Sequence, residues 1–296
     1  MRPSDAWVRQ FLRREHLPAQ FRELIDRVHA PLAERIAAAA HAQGSCLTVG
    51  LCGAQGSGKS TMATVLCGLL TNAGVTATAL SLDDFYLPRA ARLTLGRRVH
   101  PLLQTRGVPG THEVSLALQV HSTLRQPGMI ALPAFDKAQD DRRPRAQWPE
   151  VRGPVQVIIL EGWCVGAIAQ TPDELVTPVN SLEAEEDAQG IWRRYVNDAL
   201  AGEYRSWFGQ IDFLILLQAP GFEVVHRWRL EQEQKLRERL RSEGGDLGRV
   251  MDDRGIARFM SHYERLTRHI LAKMPARANV VLELDEQRRP RQAAVV

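Results

Sequence analysis

Eight residues constrain this chain more than any others. Gly53-Ala54-Gln55-Gly56-Ser57-Gly58-Lys59-Ser60 fits the pattern GxxxxGK[ST], and it stands between an apolar run ending at Cys52 and a stretch with helical periodicity. Successive backbone N–H groups must wrap a phosphate closely, side chains would obstruct that wrap, and the helix that follows adds its positive N-terminal dipole. Lys59 is then expected to contact the β- and γ-phosphates of a nucleotide and the Ser60 hydroxyl to ligate Mg²⁺, with Thr61 completing the nucleotide-binding segment. At average residue usage such a match arises by chance in about one chain of this length in a hundred. The expectation is a site for ATP and Mg²⁺. No NKxD guanine-reading motif occurs, the nearest text being Phe135-Asp136-Lys137-Ala138, and no LSGGQ signature is present, so GTPase and transporter ATPase readings fall behind.

Around this loop the pattern alternates short apolar runs with helical stretches. Strands are expected at 46–52, 76–81, 128–132, 155–160, 211–217 and 279–284, and helices at 59–73, 113–126, 190–205, 221–242 and 253–273. Alternation of this kind predicts an α/β fold, the P-loop NTPase three-layer sandwich with a mostly parallel, doubly wound sheet. Residues 1–44 read as an N-terminal helical extension packing on the core, 45–290 as the kinase-like domain and 291–296 as a tail expected to fray. Residues 84–112 and 134–154 read as long loops, the kind that usually carries function. Residues 164–189, with the acidic run Glu183, Glu185, Glu186 and Asp187, read as a solvated surface excursion.

Composition narrows the partners. The 296 residues are 44% hydrophobic and carry a formal charge of +4, but only Lys59, Lys137, Lys235 and Lys273 are lysine, so 34 of the 38 basic residues are arginine. Those charges are interspersed with acids and form no basic stripe with interleaved aromatics, which argues against a nucleic-acid partner. The longest apolar runs, Val155 to Leu160 and Phe213 to Leu217, are too short to span a bilayer, and the N-terminus lacks the apolar stretch of a secretory signal, so no membrane partner and a cytoplasmic location are expected. Cys46, Cys52, Cys67 and Cys164 lack CxxC spacing and read as reduced thiols. Oligomeric state is open.

Two carboxylates, Asp83 and Asp84, close the second expected strand at the sheet edge where ligands bind in such folds. A kinase acting on a hydroxyl needs one carboxylate to orient it and take its proton and another to hold Mg²⁺. Glu161 terminates the buried run Val155 to Leu160, the position of a Walker B acid, and is assigned to the metal alongside Ser60 and Asp83. Arg106 and His112 lie in the first long loop and Asp136, Lys137 and Arg142 in the second, charged groups suited to an anionic acceptor. Arg227 and Arg229 either close over ATP as a lid or belong to a solvated helix stitched by Glu231 with Lys235 and Glu233 with Arg237.

The blocks GAQGSGKST (53–61), SLDDFYL (81–87), TRGVPGTHE (105–113), PAFDKAQDDR (133–142), WPEVRGPVQVIILEGW (148–163) and HRWRLEQE (226–233) together resemble the plant-type D-glycerate 3-kinase family, relatives of uridine kinase, phosphoribulokinase and pantothenate kinase. The resemblance covers roughly residues 45–290. It implies ATP- and Mg²⁺-dependent phosphorylation of the 3-hydroxyl of D-glycerate, with Asp83 as general base, Lys59 and Glu161 as further catalytic groups, and Tyr86, Arg106, His112, Asp136, Lys137 and Arg142 toward the acceptor. The sequence departs from the family where a glycine-containing GDR is usual, here Asp140-Asp141-Arg142, and where HD is common, here His112-Glu113. Alternatives are a kinase for another small hydroxyl acceptor (nucleoside, pantothenate-like acid or sugar), or an ATP-binding regulatory protein that docks partners through its N-terminal helices.

Overall fold

The computed structural model describes residues 3–15, 17–242 and 251–295. Ten strands occur among them: β1 (Leu47–Gly53), β2 (Ala77–Ser81), β3 (Gly128–Ala131), β4 (Phe135–Asp136), β5 (Asp141–Arg142), β6 (Glu150–Gly153), β7 (Val157–Gly162), β8 (Phe213–Gln218), β9 (Val280–Leu284) and β10 (Pro290–Val295). Apolar residues of the central strands alternate between two cores. Val49, Leu51, Val157, Ile159 and Ile215 enter one, while Cys52, Ile158, Leu160, Leu214 and Leu216 enter the other. Strands buried on both faces need helices on both faces, and the molecule is a three-layer α/β/α sandwich.

The main sheet has the order β10-β9-β8-β1-β7-β2. Its strands are parallel except β10, which runs antiparallel to β9. From β1 the chain crosses to the edge at β2, returns to β7 beside β1, then moves to β8 on the other flank. Strand order therefore reverses at β1, and the crevice at its carboxyl end is where a ligand fits.

One face is covered by the helices Ala30–Gln43, Lys59–Asn72 and Phe222–Ser242, the other chiefly by Val114–Thr123, Ile191–Ala201, Glu203–Phe208 and Asp253–Lys273. Helix Asp5–Arg14 is capped by Ser4, whose hydroxyl accepts from the Trp7 N–H, and buries Val8, Phe11 and Leu12 in the first core. Burying three such side chains contributes on the order of 5 kcal/mol. No helix among the described residues is long and apolar enough to cross a membrane.

Several expectations change. β3 stands outside the main sheet, paired antiparallel with β6, because Gly128 and Met129 are exposed and a half-exposed run cannot sit inside a doubly covered sheet. Residues 84–112 hold the helix Arg89–Arg98 rather than a bare loop, and residues 134–154 hold the β4–β5 hairpin and β6. The expected helix 190–205 breaks at Gly202, in non-helical geometry, between Ile191–Ala201 and Glu203–Phe208. The expected fraying tail instead forms β10, with Val296 outside the described residues.

The acidic run is the largest correction. Glu183 and Asp187 are buried, Glu183 against Arg265 at 2.6 Å and Asp187 against Arg193 at 3.0 Å. Two buried ion pairs anchor that segment to the interior, while Glu185 and Glu186 stay exposed.

Candidate active site

The phosphate loop begins where β1 ends. Gly56 and Gly58 adopt φ of 79° and 89°, left-handed values that strain any residue with a Cβ. A Cβ on Gly56 would also lie 2.9 Å from the Trp228 Cβ, so the loop is packed tightly against the helix Phe222–Ser242. Gly58 is the N-cap of the 14-residue helix Lys59–Asn72, whose first turn carries Ser60 and Thr61. Gly53 approaches the Ser57 hydroxyl so closely that a Cβ would meet it at 2.6 Å. Ala54 and Ser57 are buried, and Ser57 Oγ and Gln55 Oε1 have no hydrogen-bond partner in the protein.

Strand register brings distant acids to this loop. Leu51 pairs with Glu161, and Glu161 pairs with Ser81, so β1, β7 and β2 end in one row with Asp83 just beyond it. Glu161 is 5% exposed; its Oε1 accepts from Ser60 Oγ at 2.9 Å, while Oε2 is buried without a partner. A hydroxyl and an unsatisfied carboxylate oxygen at the phosphate loop suit Mg²⁺, which takes hard oxygen ligands and is usually held by one or two carboxylates plus phosphates. No cluster of three or more His, Cys, Asp or Glu among the described residues is arranged to hold a metal, so an ion there would depend on nucleotide phosphates as well. Asp83 is committed differently from the sequence expectation of a metal ligand: one oxygen accepts from Lys137 Nζ at 2.6 Å and the other from the Tyr86 hydroxyl at 2.8 Å.

Those partners separate the two adjacent aspartates. Burial pushes the Asp83 carboxyl up, but the charges of Lys137 and Lys59 and the two hydrogen bonds outweigh it and hold the group well below the usual carboxylate range. Asp84, without such a partner, is pushed up to about 6 by burial, opposed by the Phe135 N–H and reinforced by the charge of Asp83. Asp83 is thus a fixed anion at neutral pH, and Asp84 is held near its titration point.

The other predicted acceptor residues divide into two groups. Lys137 reaches Asp83, while Arg106 lies over the Phe135 ring at 5.6 Å and is ion-paired to Asp140. His112 is buried: it stacks on Tyr86 at 4.5 Å and bonds the Tyr204 hydroxyl through Nδ1 at 2.5 Å, and burial pushes its imidazole down to about 3, so it is neutral. Arg142 and Asp136 hold the loops rather than open space. Arg142 pairs with Glu113 at 2.6 Å and donates to the Tyr86 carbonyl at 2.8 Å, while Asp136 Oδ1 accepts from the N–H groups of Ala138 and Gln139.

The two helix arginines also separate. Arg227 is exposed and pairs with Glu286 at 3.1 Å, whereas Arg229 is largely buried, pairs with Glu233 at 2.6 Å and lies over Phe259. Glu233 is therefore bound by Arg229 and not by Arg237, which donates to the Met251 carbonyl, and Glu231 pairs with Arg288. The expected partner Lys235 has its side chain outside the described residues.

Three contributors escaped the sequence reading. Trp163 Nε1 donates to the Gly107 carbonyl at 2.9 Å and the Tyr263 hydroxyl to the Arg106 carbonyl at 3.1 Å, fixing the turn that presents Arg106. Gly107 has φ 135°, and a Cβ there would collide with the Tyr263 hydroxyl. Arg288, in the β9–β10 turn at φ 66°, donates to the Gly56 carbonyl at 2.8 Å and lies over the Trp228 ring at 5.2 Å. Each acts across a long sequence separation, and of the three only the tryptophan of the Glu161-Gly162-Trp163 block carried any local signal. Asp140, visible in the sequence as a departure from the family pattern, pairs with both Arg106 and Arg92.

No family model matches the chain. It is 32% identical over 233 residues to the uncharacterized kinase mug58 of Schizosaccharomyces pombe, an alignment covering 75% of this chain and 79% of that protein. It is 28% identical over 260 residues to the chloroplastic D-glycerate 3-kinase of Arabidopsis thaliana, covering 82% of this chain and 54% of that one, so it spans about half of that relative's length. Among solved structures, D-glycerate 3-kinase from Cryptococcus neoformans matches with a TM-score of 0.72 at 24% identity, covering 94% of this chain and 100% of that chain, a likeness of fold.

Proposed function

The chain belongs to the plant-type D-glycerate 3-kinase family of P-loop kinases, and from that premise we propose that it transfers the γ-phosphate of ATP to the 3-hydroxyl of D-glycerate, yielding 3-phosphoglycerate and ADP. The observation that carries the proposal is the convergence of the phosphate loop with an ionised Asp83, bonded to Lys137, at the carboxyl end of one sheet.

Phosphoryl transfer asks a protein for positioning and charge stabilisation more than for covalent chemistry. The loop N–H groups and Lys59 hold the β- and γ-phosphates, and Lys59 counters the charge that develops as the bridging P–O bond breaks. When bound, Mg²⁺ neutralises phosphate charge, with Ser60 and Glu161 as the residues that would hold it. Asp83 accepts a hydrogen bond from the acceptor hydroxyl and then its proton, as the hydroxyl oxygen bonds to phosphorus and ADP departs. A weakly basic carboxylate suffices, because a loose transition state needs the hydroxyl oriented before it needs it deprotonated. Lys137 and Arg106 receive the acceptor carboxylate, and Trp163 and Tyr263 keep Arg106 in place. Arg227, exposed and free to leave Glu286, is the helix arginine assigned to the nucleotide; Arg229 serves the helix packing.

The test is ADP formation from Mg-ATP with D-glycerate, against a control lacking acceptor and against glycerol, uridine and pantothenate. D-glycerate should give the highest kcat/KM, and Asp83→Asn should lower kcat by roughly 10²–10⁴-fold while leaving ATP affinity within about twofold. No ADP above the control with D-glycerate rejects the substrate; turnover with another acceptor redirects it, and ATP affinity without turnover on any acceptor favours a regulatory protein.

A further inference from the structure

Resting on that reading of the acceptor side, we infer that Asp140 is a resident carboxylate that occupies Arg106 until an anionic acceptor displaces it, and so sets the affinity of the site for that acceptor. Asp140 has φ 55°, the left-handed region that glycine occupies freely and that Asn and Asp tolerate best among other residues. At that cost in backbone conformation it places one carboxylate between two guanidinium groups, those of Arg106 and Arg92.

The two arginines differ. Arg92 is 1% exposed and built in: its Nε donates to the Leu87 carbonyl at 3.1 Å, NH1 to the Gln104 carbonyl at 2.8 Å and NH2 to the Asp140 carbonyl at 2.7 Å. It fixes the backbone of residue 140 whatever side chain stands there. Arg106 has a quarter of its side chain exposed, and the Asp140 side chain is 35% exposed, so this second pair is open to solvent and exchangeable. The backbone at Arg106 is pinned by Tyr263, and its ring contact with Phe135 holds the guanidinium in place. The charge of Arg106 is felt at both Lys137 and Tyr86, the groups that hold Asp83.

A carboxylate or phosphate arriving at Arg106 therefore meets a cation already neutralised from within the protein. Binding exchanges one carboxylate for another at Arg106, which weakens the acceptor relative to a site that carries no side chain at position 140. A neutral polyol gains nothing from Arg106 and is indifferent to the exchange. Asp140 thereby acts on specificity without touching the reacting atoms.

The experiment is calorimetric titration of D-glycerate, and separately glycerol, into the ADP-loaded protein, its Asp140→Gly variant and its Asp140→Asn variant. Glycine suits the left-handed backbone and asparagine keeps the side chain's shape without the charge, so the two variants guard against a folding artefact. Both should bind D-glycerate about tenfold more tightly than the natural chain, with ADP affinity and any affinity for glycerol unchanged. If the natural chain binds D-glycerate and neither variant binds it more tightly, the inference is overturned while the glycerate reading stands. If only the variants bind D-glycerate, the inference stands and the glycerate reading falls. If none binds it, both fall, because clearing Arg106 has opened no carboxylate site.

Discussion

Replacing Arg265 by methionine keeps much of the apolar stem and removes the guanidinium. In the intact protein, Nε and NH2 donate to the two oxygens of Glu183 at 2.8 and 2.6 Å, and the same group donates at 2.6 Å to the carbonyls of Glu174 and Thr177. Glu183 is fully buried and Arg265 is 8% exposed. The substitution strands a buried carboxylate whose Oε2 keeps only the Val179 N–H at 3.0 Å. Removing one partner of a buried pair costs about 3–5 kcal/mol. At roughly 2–4 °C per kcal/mol for a domain of about this size, Tm should fall by about 6–20 °C, measured by calorimetry or circular dichroism at pH 7. The double variant Arg265→Met, Glu183→Gln should recover at least half of the loss, because no charge is then buried. A single-variant loss below about 2 °C, or a double variant no better than the single one, would refute the assignment of this segment to the charged interior.

Two further predictions concern the site. The Asp84 carboxyl, raised to about 6 from an ordinary 3.8, binds its proton more tightly in the folded state than in the unfolded state. Stability should therefore fall as pH rises between about 4 and 6, with the whole penalty present above 6. Asp84→Asn should raise Tm relative to the natural chain at pH 7 and lose that advantage by pH 4; an advantage independent of pH would reject the buried-carboxyl argument. Arg288→Ala should raise the KM for ATP about fivefold and leave acceptor KM within about twofold, since the lost bond fixes the Gly56 carbonyl. Steady-state kinetics with each substrate varied in turn decides this, and the reverse split would move Arg288 away from the nucleotide side.

What was legible in the sequence is what acts locally. The phosphate loop needs small residues at fixed spacing between a strand and a helix, and it could be read in eight letters. Glu161 was readable because a charge closing a buried apolar strand is conspicuous, and parallel register then carries it beside Ser60. Asp83 was readable because it follows a strand at the end of the sheet where ligands bind. Asp136 and Arg142 were identified as part of the acceptor region by motif, but their side chains build the hairpin and clamp the loops, a distinction that depends on which way a side chain turns. Glu183 looked solvated because its partner lies 82 residues away on another helix. Arg288 and Tyr263 were invisible for the same reason, each acting through one backbone carbonyl far along the chain.

The bond from Arg288 to Gly56 spans 232 residues, and this gives the phosphate loop a history as well as a shape. On a ribosome adding about 5–20 residues per second, the loop emerges roughly 10–50 s before the arginine that fixes its carbonyl. The motif most readable in the nascent chain is thus finished only after the strands that carry Arg288 have been made. β8 and β9, which link the loop's strand to the β9–β10 turn, also follow it off the ribosome, so the packing of the phosphate loop is a property of the assembled sheet and not of the eight residues alone.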